Sequence, residues 1–147
     1  MSRPNAHREG RRGRGRRTTM MIHRFQIPGK LPGLNEMLTA VNRNRYAGAH
    51  LKRQWTKLCA QYVVAGRVPT IKNPVAVLFS WIEPDRRRDL DNICAGAKYV
   101  LDALVETGRL QNDTRRWVTG ISHEFLNPDA ANPRVVVTLK ESPEGGA

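Results

Sequence analysis

Phe25 and Ile27 flank polar Gln26 at the period of a strand with one buried face, and the pattern reads as a strand around Ile22–Ile27. The Pro and Gly residues of IPGKLPGLN then mark a loop, and the basic stretch NRNRYAGAH reads as partly irregular. Leu51, Trp55, Leu58, Cys59, Tyr62 and Val63 recur at helical spacing and predict an apolar helix face that ends near Gly66. Lys52, Arg53 and Lys57 fall on the other face. After Asn73-Pro74, the run VAVLFSWIE is β-branched, aromatic and apolar on both faces, which predicts a buried central strand stopped by Pro84. A second helix is expected over 90–107, closed by Gly108. Two strands follow near Trp117–Leu126 and Arg134–Lys140, separated by the turn NPDAANP. The expected order is β-α-β-α-β-β, a small α/β domain.

With 147 residues, 39% of them hydrophobic, the chain suits one domain with one core. We place that domain at 21–141, preceded by a basic arm over 1–20 and followed by a flexible tail over 142–147. The arm has too few apolar residues to offset its ordering entropy. It either adds nonspecific DNA affinity or is an accident of the start site, since Met20 and Met21 sit where order is expected to begin. No apolar run is long enough to span a bilayer and no secretory signal is visible, so a soluble, cytoplasmic protein with no membrane partner is expected. Cys59 and Cys94 lack metal-site spacing and read as small core or helix residues.

Charge changes this picture. The formal net charge is +12, which calls for a polyanion, with nucleic acid ahead of an anionic membrane surface. Seven arginines against one glutamate give residues 1–20 a charge of +6, leaving +6 for the rest. No carboxylate occurs between Glu36 and Glu83, whereas Arg43, Arg45, Lys52, Arg53, Lys57, Arg67 and Lys72 do. A surface built from that stretch attracts phosphates.

Candidate chemistry is concentrated in EPDRRRDLDNICAGAKYVLDALVETGRLQND. Asp89 and Asp91 stand where a buried strand gives way to a helix, and Asp113 follows that helix. A strand–helix return that gathers these three carboxylates makes an oxygen cage suited to a hard divalent cation. At roughly 100° per residue, Ile93, Ala97, Val100, Leu101 and Leu104 share one helix side, and Asp91, Lys98 and Asp102 lie opposite. Lys98 is then able to face the cleft and stabilise charge on a phosphate. The plainer alternative is that the acidic pair caps a helix and that Lys98 and Asp102 form a solvated i,i+4 pair. Against it stands the setting: acid beside Arg86, Arg87 and Arg88 in a basic protein repels DNA unless a metal intervenes.

These residues also carry a resemblance. RRRDLDN, a lysine four residues before DAL, a glycine-terminated helix, an Asn-Asp pair and the asparagine of LPGLNEML together resemble the RusA family of Holliday-junction resolvases, over about residues 22–140. The resemblance implies a mixed sheet packed by two helices, a homodimer that holds a four-way junction and nicks two opposing strands, and Mg²⁺ as cofactor, with Mn²⁺ as the alternative. It implies Asp89, Asp91 and Asp113 as metal-binding catalytic carboxylates and Lys98 as the catalytic lysine. One departure stands out: the commoner family spacing puts the lysine where this chain has Ala95. The three extra residues are close to one helical turn.

The remaining candidates have plainer readings. Arg86, Arg87, Arg88, Arg43, Arg45, Lys52, Arg53 and Lys57 are the expected DNA-binding cations, against an ordinary solvated helix face for those before the acidic segment. Asn92 is expected to hydrogen-bond at the helix start, and Asn112 stands where some relatives have a second acid. His123, within an alternating strand pattern, reads as a packed or edge residue, and Trp55 and Trp81 as core. Two rival functions remain open: a noncatalytic basic DNA-binding protein, and a metal nuclease acting on flap or duplex DNA.

Overall fold

The computed structural model describes residues 20–143. Apart from Met20, the expected basic arm lies outside the described residues, as does the end of the expected tail. The elements in chain order are β1 (Met21–Pro28), α1 (Leu34–Arg43), α2 (Arg45–Ala65), β2 (Val75–Ile82), α3 (Leu90–Cys94), α4 (Ala97–Glu106), β3 (Val118–Phe125) and β4 (Arg134–Glu141). The α/β class and the four strands match the expectation, but α1 is a helix not expected from the sequence, the expected first helix begins earlier, at Arg45, and the expected second helix is divided into α3 and α4.

The stretch NRNRYAGAH is helical, not irregular, apart from Asn44. Asn44 is fully extended and its Oδ1 accepts the Ala47 N–H at 2.7 Å, so one residue ends α1 and caps α2. Such a cap stabilises a helix by about 1 kcal/mol. The expected helix over 90–107 tightens at Ala95–Gly96, where Gly96 N–H, Lys98 N–H and Tyr99 N–H donate to carbonyls three residues back. Gly96 is buried there, and a Cβ on it would press to 3.1 Å from Leu31 Cβ and 3.3 Å from Trp81. Gly108, at φ +75°, closes α4 as expected.

The sheet has the order β1-β4-β2-β3. β4 runs antiparallel to β1 and β2, and β3 runs parallel to β2, so the sheet is mixed. The parallel pair requires a crossover, supplied by α3 and α4. Phe25, Ile27, Val77, Phe79, Trp81, Val135, Val137 and Leu139 from the strands form one core with Cys59 and Val63 of α2 and Val100 and Leu104 of α4. Val77, Phe79 and Trp81 alternate along β2, as a strand face must. At the far end of β4, buried Glu141 accepts the N–H groups of Lys72 and Asn73 at 2.8 and 3.0 Å and lies 3.2 Å from His23 Nε2. Burial alone would raise its pKa, but these hydrogen bonds bring it below the usual carboxylate value. No helix among the described residues is long and apolar enough to cross a membrane.

Candidate functional site

The crossover decides where the acidic residues stand. Asp89 and Asp91 lie just beyond the carboxyl end of β2, where ligands of open α/β sheets commonly bind. Asp113 follows the far end of the helical run, so the strand–helix return does not by itself gather the three carboxylates. Among the described residues, no group of three or more His, Cys, Asp or Glu is arranged to hold a metal ion. The donor set suits a hard cation in type, since all three are carboxylates. As arranged, it is not one ligand shell.

The strand-end half is open. Asp89 is the N-cap of α3, yet its side chain makes no capping hydrogen bond. Asp91 Oδ1 accepts the adjacent Asn92 N–H at 3.0 Å, and both aspartates are exposed. The arginines beside them turn elsewhere. Arg86 Nη2 reaches Asn127 Oδ1 at 3.5 Å, and Arg87 Nε lies 3.7 Å from Asp85. Arg88 differs from its expected place at a DNA surface: its side chain is 9% exposed and forms two 2.8 Å hydrogen bonds to Glu83. Its Nη1 also donates to the Leu31 carbonyl at 3.0 Å and lies 3.6 Å from Glu36. Its charge is neutralised internally, and it ties the loop before α1 to the end of β2.

Asn92 completes that tie. Its Oδ1 accepts the Asn35 N–H at 3.0 Å, so it bonds across to α1 and not within its own helix start. Gly33 permits the approach, because a Cβ there would collide with Asn92 and lie 2.8 Å from Arg88 Nη1. This gives the glycine of LPGLN a packing reason, while Asn35 enters the tie only through its backbone N–H.

The return half is a cleft of about 500 Å³ between α2 and α4, lined by Lys52, Arg53, Thr56, Lys98, Asp102 and Asp113 among others. Lys98 Nζ stands 3.1 Å from Asp102 Oδ1 and 3.7 Å from Asp113 Oδ2. Lys52 Nζ stands 3.6 Å from Asp102 Oδ2. The hydrogen bond to Asp102 is the main cause that raises the Lys98 pKa, with Asp113 adding its field against the opposing effect of burial. Asn112 shapes the loop that presents Asp113: its Oδ1 accepts the Thr114 N–H at 3.1 Å and hydroxyl at 2.6 Å, which makes it a turn residue.

Other expected cations spread along the helical face. Arg43 lines a groove between α1 and α2, Arg45 lies over the Tyr46 ring at 5.2 Å, and Lys57 is exposed on α2 outside the cleft. His123 is packed, as read from the sequence. Its ring stacks on Phe79 and Trp81, its Nδ1 accepts the Trp81 indole N–H at 2.9 Å, and burial lowers its pKa. Asp102 was seen in the sequence only as half of an i,i+4 pair. Nothing in the sequence signals that Lys52 meets it from another helix.

No family model matches the chain, and no curated protein matches it.

Proposed function

We propose that this protein is a metal-dependent endonuclease that nicks branched DNA, with the four-way junction as substrate and a homodimer as the working form, as the RusA resemblance implies. The observation that carries the reading is the approach of Lys98 to Asp113 within 3.7 Å, beside Lys52 and Arg53. Residues expected to share one reaction meet in a cleft edged by expected phosphate-binding cations.

In this reading Lys52 and Arg53 hold the DNA backbone, which positions the substrate without reading its sequence. The Lys98 ammonium stabilises the negative charge that grows on the scissile phosphate. Asp89 and Asp91 are assigned to Mg²⁺, or Mn²⁺ in its place, on donor chemistry alone, and Asp113, which the resemblance implies as a third ligand, stands beside Lys98 instead. A bound ion would supply charge neutralisation and an activated water. The noncatalytic alternative treats the acidic pair as a helix cap, and the missing cap bond of Asp89 weighs against it.

The test is cleavage of a synthetic four-way junction with and without Mg²⁺, by wild type and Asp91→Asn in parallel. Paired nicks that need metal and vanish in the variant, with junction binding retained, are expected. Tight binding without cleavage of junction, flap or duplex sinks the nuclease reading. Preferential cutting of flap or duplex replaces the junction as substrate.

A further inference from the structure

The geometry points to Asp102 as a positioning residue that holds Lys98 beside Asp113 and ties it, through Lys52, to the α2 face that carries the DNA backbone. The inference rests on the nuclease reading above. It concerns a residue that the sequence offered only as a surface ion-pair partner.

Three observations distinguish Asp102 from such a partner. Its side chain is 19% exposed, whereas Lys98 and Lys52 are 55% and 58% exposed, so the carboxylate is the fixed member and the lysines are the long arms. Its two oxygens face lysines from different helices: Oδ1 meets Lys98 of its own helix, and Oδ2 meets Lys52 of α2. Finally, Asp102 Oδ2 and Thr56 Oγ1 are the buried side-chain oxygens without a hydrogen-bond partner among the described residues, and both residues line this cleft. The Lys52 ammonium, at 3.6 Å, is thus the charge that offsets this buried carboxylate oxygen.

The consequence for Lys98 is directional. A lysine ammonium on four rotatable carbons sweeps a wide volume, and fixing it costs rotamer entropy on every turnover unless the fold has already done so. Asp102, one helical turn beyond Lys98, pairs with it at 3.1 Å and leaves the ammonium 3.7 Å from Asp113. Placement of a charged group before substrate arrives is worth large factors in rate, and an error of about 1 Å can lose about 100-fold. Lys52 gives the same carboxylate a second function: the helix that meets the DNA backbone and the helix that presents Lys98 are joined at one residue.

The test compares full-length wild type with Asp102→Asn, Asp102→Glu, Lys98→Ala and the Lys98→Ala/Asp102→Asn double variant on a four-way junction. Turnover at saturating junction and junction affinity are measured separately. Asp102→Asn is expected to lower turnover by about 10- to 100-fold with affinity within about two-fold, and Asp102→Glu to recover part of it. In the Lys98→Ala background, Asp102→Asn is expected to add less than about two-fold, since it acts through the lysine already removed. Zero-length carbodiimide cross-linking of wild type supplies a readout independent of activity, joining the Lys52 and Asp102 peptides. Unimpaired turnover in Asp102→Asn, full additivity in the double variant, or no Lys52–Asp102 cross-link each overturns the positioning role while leaving wild-type cleavage intact. If wild type cuts nothing, the nuclease reading itself fails. Should Asp102→Asn not fold, Asp102→Glu and the cross-link still decide the matter.

Discussion

The two ends of the α3–α4 run hold carboxylates in opposite circumstances. At the entry, Asp89 and Asp91 are exposed and form no ion pair among the described residues, although three arginines precede them directly. At the return, Asp102 and Asp113 sit among lysines, with Lys98 between them and Lys52 reaching across from α2. Adjacency alone therefore does not pair the arginines with the acids that follow them. Arg86, Arg87 and Arg88 are directed to Asn127, Asp85 and Glu83, and the acids that follow them stay open to an external cation. The acids of the return are already paired with the protein's own lysines.

This contrast is sharpest in the metal dependence, where the largest effect is expected. If the entry binds the ion and the return handles the phosphate, Asp89→Asn should abolish heat from Mg²⁺ titration and lower cleavage by on the order of 10³-fold. Lys98→Ala should lower cleavage as well while leaving Mg²⁺ affinity within about three-fold, since its ammonium only repels the ion. Isothermal titration of both variants checks this. Equal loss of Mg²⁺ binding in the two would merge the ends into one site and break the comparison.

Stability separates the arginines next. Arg88 is nearly fully buried with Glu83, and removing one partner of a buried pair leaves the other uncompensated. Arg88→Met should destabilise the fold by about 3–5 kcal/mol. Arg86→Gln, at an exposed site, should stay within about 0.5 kcal/mol. Urea unfolding of both proteins gives the answer, and a neutral Arg88→Met would return that residue to the DNA surface.

Much of the fold was legible because it follows from periodicity. Phe25 and Ile27 alternate with exposed Arg24 and Gln26, the β2 run is buried, and Ile93, Ala97, Val100, Leu101 and Leu104 form the buried helix side. The extra helix α1 and the division of the second expected helix were hidden for local reasons. Asn44 is one asparagine among several in a basic stretch, and only its extended backbone and bond to Ala47 reveal a cap. Gly96 reads as a weak helix residue until Leu31 and Trp81 are seen against it. Within the site, the meeting of Lys98 with Asp113 follows from a helix and the loop after it, which sequence reasoning can anticipate. The separation of Asp113 from the β2 end follows from the parallel β2–β3 pairing, which the strand patterns do not specify. The burial of Arg88 and the second partner of Asp102 were not legible for the same reason: each depends on a segment distant in sequence, Leu31 for Arg88 and Lys52 for Asp102, although the i,i+4 pair of Asp102 with Lys98 is present as read.

The smallest expected effect concerns the cations at the rim of the cleft. Arg53 lines it together with Lys98 and Asp113, whereas Lys57 is exposed on α2 outside it. If the DNA backbone runs along the cleft, Arg53→Gln should reduce the slope of log affinity against log salt by about 1, the signature of one lost phosphate contact. Lys57→Gln should change that slope by less, since Lys57 does not line the cleft. Junction binding by both variants, made in the Asp91→Asn background so that the substrate stays whole, measures the two slopes across a salt series. A larger change for Lys57→Gln would move the DNA path off the cleft and along the outer face of α2. Lys98 would then have no phosphate to act on, and the lysines around Asp102 would be an internal charge cluster holding two helices together.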